Sequence, residues 1–190
     1  MATRLVGMAI ERPESSPDFV ARWKEAVERG DAAAATACLS EDVVLISPLT
    51  ARFRFKGQAQ LNDVMVAALE VISDIRYHTD VGDSGTRALF YTGRVGDIDV
   101  EEAQLLRLDP EGRIREITLF GRPLPALTAV MAGMGPRLLR RQGKANLAPV
   151  VTAAIAPLAF LTKLGERRLV PLGDPNRDPH RQPSASASAN

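Results

Sequence analysis

The strongest constraint on this chain is a change of hydrophobic period near residue 70. Before it, apolar residues recur at helical spacing; after it, four alternating runs at about 72–81, 86–95, 98–108 and 113–121 are divided by Gly-Asp and Asp-Pro-Glu-Gly turns. Runs of that length with those turn residues predict a meander of antiparallel strands. A group of helices followed by a meander predicts an α+β domain in which helices cover one face of a curved sheet and leave a pocket between the layers.

The helical part opens at Ser16, a good N-cap, with Pro17 at a position where a missing N–H costs nothing and Asp18 favourable to the helix dipole. Phe19, Trp23, Ala26 and Val27 form one apolar stripe, which Gly30 ends; Asp31 recaps a short alanine-rich helix running to Leu39. From Asp42 to Ser47 the pattern is that of a strand, Pro48 breaks it, and Arg52 to Phe55 reads as the return strand of a small hairpin. After the Lys56-Gly57-Gln58 turn, Leu61, Val64, Met65, Ala68 and Leu69 mark a further helix.

Beyond Arg122 the composition shifts. Pro123 and Pro125 open a helix whose Leu127, Val130, Met131, Met134 and Leu138 face away from Arg137, Arg140 and Arg141. The stretch from Leu147 to Leu164 carries one charge, yet Pro149 and Pro157 are expected to interrupt it and keep it short of the roughly 20 apolar residues of a spanning helix. From about Gly173 the chain is Asp, Pro, Arg, Ser and Ala, a composition unable to bury enough surface to order itself. The expected organisation is an N-terminal segment 1–15, a cone-forming domain 16–122, a C-terminal helical extension 123–172 and a disordered tail 173–190.

Charge and ligand chemistry remove several functions. With 24 basic and 23 acidic residues there is no global field of the kind that gathers nucleic acid. One cysteine, Cys38, cannot form an intrachain disulfide, and Cys38, His78 and His180 cannot supply a zinc or copper site, so no metal and no cofactor is expected. The apolar run from Leu5 to Ile10 is shorter than the core of a secretory signal, and the expected location is the cytoplasm.

Arg22 to Asp31, then Leu39-Ser40-Glu41-Asp42-Val43, then Lys56-Gly57, and at the close Gly112-Arg113-Ile114 through Leu119-Phe120-Gly121, resemble the ketosteroid isomerase and SnoaL-like branch of the nuclear transport factor 2 superfamily over about residues 16–122. The resemblance implies a cone-shaped curved antiparallel sheet covered by N-terminal helices, an apolar cavity and a homodimer. Members of that branch include isomerases, polyketide cyclases, dehydratases, epoxide hydrolases and binding proteins without chemistry. Carried over by position, the isomerase general base falls at Ser47, its oxyanion tyrosine at Trp23 and its protonated aspartate near Gln104. A serine hydroxyl is no base at neutral pH and an indole can only donate, so steroid isomerisation by that mechanism is excluded.

Strand parity offers an independent route to a site. In the third long strand Val100, Glu102, Gln104, Leu106 and Leu108 share the more apolar face. If that face lines the cavity, Glu102 is a partly desolvated carboxyl with a raised pKa and the leading candidate acid or base. In the first long strand Ile75, Tyr77, Thr79 and Val81 make the apolar face, which suggests Tyr77 as a cavity donor and turns His78 to water with Arg76 and Asp80. Trp23, Ser47, Tyr77 and Gln104 complete the expected ligand contacts; Ser47 lacks a histidine partner and is no nucleophile.

The leading function is therefore binding of a small apolar molecule. The alternatives are a cofactor-independent isomerase, cyclase or dehydratase using Glu102, and a non-catalytic module for dimerisation or membrane-surface contact. For the extension three destinations compete: a lid over the cavity, a cover against a second subunit, and a membrane interface where Arg137, Arg140, Arg141, Lys144, Lys163, Arg167 and Arg168 meet anionic lipid. The first two rank ahead, because prolines are expected to break the helix.

Overall fold

The computed structural model describes residues 18–175, so the segment 1–15, the cap expected at Ser16 and the tail beyond Pro175 lie outside the described residues. The first helix, α1 (Phe19–Glu28), is capped by Asp18, whose Oδ1 accepts from the Ala21 N–H at 2.9 Å. Asp18 and not Ser16 is thus the N-cap, as suits a charged acceptor at the positive end of the helix dipole. Gly30 adopts φ 72°, ending the helix, and Asp31 caps α2 (Ala32–Thr36) by accepting from Ala34 N–H at 2.9 Å. This helix stops three residues short of Leu39. There the chain is captured by a strand: Leu39 pairs with Ile114, and the Ile114 N–H donates to the Cys38 carbonyl at 3.1 Å. Tertiary pairing overrides the helix preference of the alanine run.

β1 (Leu39–Ile46) therefore begins earlier than the β-branched run suggests, and its antiparallel partner β2 is only Phe55–Lys56. Residues 48–54 are a loop, not the expected return strand from Arg52, and their Leu49, Phe53 and Arg54 turn toward the cavity. α3 (Gly57–Leu69) buries Leu61, Val64 and Met65, and the meander follows as β3 (Ser73–Gly82), β4 (Thr86–Val95), β5 (Ile98–Leu108) and β6 (Ile114–Arg122). Sheet order is β2-β1-β6-β5-β4-β3; every neighbouring pair is antiparallel except β1 with β6, which run parallel. α1 and α3 lie against the inner face, and the core joins their stripes to Leu89, Leu106, Ile114 and Ile117. The fold is the α+β cone expected, an open curved six-stranded sheet with helices packed on it.

The parity expected of the first long strand fails in its second half. The register of β3 on β4 shifts between Tyr77 and Thr79, so that Tyr77 faces Tyr91 but Asp80 faces Leu89. One extra residue at a bulge reverses inside and outside for the rest of a strand. Val81, expected on the inner face, is 55% exposed, while Asp80 turns in and binds Lys24 of α1 and Arg87, each at 2.5 Å. His78 is exposed, and its Nδ1 lies 2.9 Å from the Oγ1 of its neighbour Thr79.

The extension folds as two helices, α4 (Leu124–Arg141) and α5 (Ala148–Arg168), joined by a 3-10 turn at Ala145–Leu147. α4 lays its apolar face on the cone. Gly121 and Gly133 allow this approach, since a Cβ on them would meet Leu127 at 2.6 Å and Val71 at 2.9 Å. α5 packs on α4 and runs unbroken for 21 residues. The expected interruptions are absent: Pro149 lies in the first turn, where its missing N–H costs nothing, and Pro157 faces outward, so the carbonyl it leaves unpaired is on the solvent side. Continuous through both prolines, the segment Ala145–Gly173 is long and apolar enough to cross a membrane, by length and composition alone.

Candidate functional site

A cavity of about 880 Å³ lies between the sheet and the helices. Small-molecule sites occupy roughly 300–1,000 Å³, so the space suits a ligand and is far too large for a packing defect. The cone supplies Leu45, Val64, Ile72, Ile75, Ile117 and Leu119; α4 supplies Leu127, Val130, Met131, Met134 and Leu138, and α5 adds Val151 and Ile155. The extension is thus a wall of the cavity within the same chain, and the apolar face of α4 is turned to the cone.

Within this mainly apolar lining lies a cluster of buried polar groups, and hairpin register explains its position. The two-residue turn Gly96-Asp97 pairs Val95 with Ile98, which sets Tyr91 opposite Glu102 and Leu89 opposite Gln104. On the other side β6 brings Gly121 beside Glu102 and Leu119 beside Gln104. Period-2 alternation then turns Val100, Glu102, Gln104 and Leu106 inward together, all of them buried.

Gln104 is the centre of the cluster. Its Oε1 accepts from Trp23 Nε1–H at 3.1 Å and from the Tyr77 hydroxyl at 2.9 Å. Two donors at one oxygen orient the amide, so its Nε2–H points at Glu102 Oε1, 3.3 Å away. That bond is long, and it leaves the Glu102 carboxyl weakly solvated. Burial accordingly dominates: it pushes Glu102 up from 4.5 to about 7, although hydrogen bonding from Gln104 and Tyr91 pulls the other way. The Tyr77 and Tyr91 phenols are also raised, by burial first and then by the Glu102 charge, and remain protonated donors. Their rings meet edge to face with centroids 5.4 Å apart.

Trp23, Glu102 and Gln104 converge, and all three line the cavity. Tyr77 joins them through Gln104 from behind and is not itself part of the lining. Ser47 stands apart in the loop wall, where its Oγ accepts from Leu49 N–H at 3.1 Å and holds the turn over Pro48. Among the described residues no three His, Cys, Asp or Glu side chains are grouped so as to hold a metal.

Tyr91 is the functional neighbour that sequence reading passed over. A two-residue hairpin loop fixes the sum of paired residue numbers, so the Gly96-Asp97 turn alone pairs residue 91 with residue 102. The contribution of Met131 and Met134 had no comparable signal, because it depends on how α4 folds back.

A family model described as the SnoaL-like domain matches residues 20–117. Among solved structures, an uncharacterized protein with a cystatin-like fold from Silicibacter pomeroyi is 27% identical, with a TM-score of 0.63 over 72% of this chain and 96% of that one. A steroid delta-isomerase from Pseudomonas aeruginosa is 24% identical, with a TM-score of 0.61 over 69% and 98%, and an NTF2-like protein of unknown function from Cytophaga hutchinsonii is 16% identical, with a TM-score of 0.50 over 61% and 97%. The last two likenesses concern the fold alone. No curated protein matches the chain in sequence.

Proposed function

This chain belongs to the SnoaL-like family of the nuclear transport factor 2 superfamily, and from that premise we propose that it binds a small, largely apolar molecule carrying one polar group. The observation that carries this reading is a cavity of about 880 Å³ with a mainly apolar lining, whose buried polar groups, Glu102, Gln104 and Trp23, meet at one place, whereas its other polar residues, Arg54, Asp63 and Lys144 among them, are not buried. Apolar walls supply affinity, and a few converging polar groups fix orientation. With its pKa near 7 Glu102 exists in both forms at neutral pH, donating to a carbonyl when protonated and accepting from a hydroxyl when ionised.

Trp23, the single tryptophan, reports on the cavity directly. Titration with anilinonaphthalene sulfonate is expected to give saturable energy transfer from Trp23. The variant Ala68→Phe, which fills the cavity from α3, is expected to abolish it while retaining a cooperative melt. Transfer that persists in the folded variant places the dye elsewhere and removes the reading.

One observation favours a second reading, proton transfer on the bound molecule: a carboxyl raised to about 7 faces the cavity. The steroid isomerase set is absent, with Ser47 and Trp23 at the base and oxyanion positions, so any such chemistry would rest on Glu102. For a substrate identified by native mass spectrometry of the purified protein, Glu102→Gln is expected to lower kcat by about 10²- to 10⁴-fold while binding persists. Unchanged turnover would leave binding alone.

A further inference from the structure

α5 is covered on one side only. It packs on α4 where Thr128 and Thr162 hydroxyls meet at 2.7 Å, and where Val151 comes within 3.3 Å of the position a Cβ on Gly135 would take. Beside that packed face it exposes Leu147, Val150, Leu158, Leu161 and Leu164, each between 42% and 64% accessible. At 100° per residue these five positions span an arc of about 120°, a single stripe. A helix that is apolar on both its packed and its open face is incompletely covered.

Charge says what covers it. Residues 123–172 hold seven basic residues and one acidic residue, in a chain whose formal net charge is only +1. Four of the seven are paired with the cone: Arg137 with Glu70, Arg141 with Asp63, and Lys163 and Arg167 with Asp97. Arg140, Lys144 and Arg168 are exposed and make no ion pair among the described residues. Lys144 stands just before the leucine stripe, and Arg168 closes it on the same helix face.

We propose that this face docks on an anionic lipid bilayer, with α5 lying along the headgroup boundary, its leucines in the acyl region and Lys144 and Arg168 at lipid phosphates. A second copy of the chain fits less well. Pairing the stripe with itself, parallel or antiparallel, sets one cationic end against another, whereas an anionic surface meets both ends at once. A spanning orientation is disfavoured as well, because α4 occupies one side of α5 and Lys163 and Arg167 are held on the cone by Asp97. The same hairpin walls the cavity, so docking would bring that wall against the acyl region; the proposal does not depend on what the cavity holds.

The test is flotation of the full chain with vesicles of phosphatidylcholine alone and of phosphatidylcholine with phosphatidylglycerol. Flotation with the anionic vesicles only is expected. Leu158→Gln with Leu161→Gln is expected to weaken partition at least about tenfold, since each leucine loses its transfer into the acyl region. Lys144→Gln with Arg168→Gln is expected to weaken it roughly 25-fold, two surface charges at about fivefold each. The substituted side chains are exposed, and an unchanged Trp23 emission maximum shows that each variant is folded. The proposal is overturned by absence of flotation, by equal flotation on both vesicles, or by folded variants that float like the parent. It is equally overturned by a dimer that Leu158→Gln with Leu161→Gln disperses while vesicles are ignored.

Discussion

Glu102 shows how little is needed to shift a carboxyl when its surroundings are arranged against ionisation. Four groups surround it, but Trp23 and Tyr77 spend their donors on Gln104, and only the long Gln104 contact and Tyr91 reach the carboxyl. Folding therefore holds a proton that the unfolded chain releases above 4.5. Between 4.5 and about 7 the native state binds the extra proton, so stability falls as pH rises through that window and levels off above it. The loss is on the order of 3 kcal/mol at 1.36 kcal/mol per pKa unit. Glu102→Gln should flatten this slope in denaturant titrations taken across the window, because the amide has no proton to lose. An unaltered slope would mean that the carboxyl is solvated.

At the scale of elements, the bulge in β3 decides more than any residue in it. By delaying register one step after Tyr77, it leaves the first half of the strand to the cavity cluster and hands Asp80 to α1. Burial alone would raise the Asp80 carboxyl, but hydrogen bonds from Lys24 and Arg87 outweigh it and hold it below 3.8. Its contribution is present above 3.8 and lost as pH falls through the lower folded value. Asp80→Asn is expected to cost about 2 kcal/mol near neutral pH, the worth of charge-assisted bonds, and nothing in acid where both states are protonated. Comparing urea midpoints of the two proteins at neutral and acid pH measures the difference. The bulge itself is invisible to alternation counting, since Arg76 to Val81 reads as one uninterrupted strand.

For the whole molecule, the question is how firmly the α4–α5 hairpin is held. α4 is fastened by apolar burial against the cavity and by Gly121 and Gly133, whereas the far end of α5 is tied by the exposed pairs Lys163–Asp97 and Arg167–Asp97. Exposed pairs are weak and screened by salt; buried apolar contacts are not. Raising salt to about 0.5 M, or substituting Asp97→Asn, should quicken amide exchange in residues 158–168 while leaving the thermal midpoint of the cone in place. If the midpoint drops in step, α5 and the cone unfold as one unit.

What the residues determined alone is the part written in period and turn chemistry. Helical stripes, the four meander strands and the inward parity of Val100, Glu102 and Gln104 depend on contacts close in sequence, and a hairpin with a two-residue loop carries its register with it. Tertiary structure decided whatever joins distant segments. Leu39 became strand because β6 was there to pair with it, and Tyr77 met Gln104 because three strands aligned. α5 stayed whole through Pro157 because that residue faced outward. Local periodicity fixes which side chains share a face; only long-range packing chooses what that face meets.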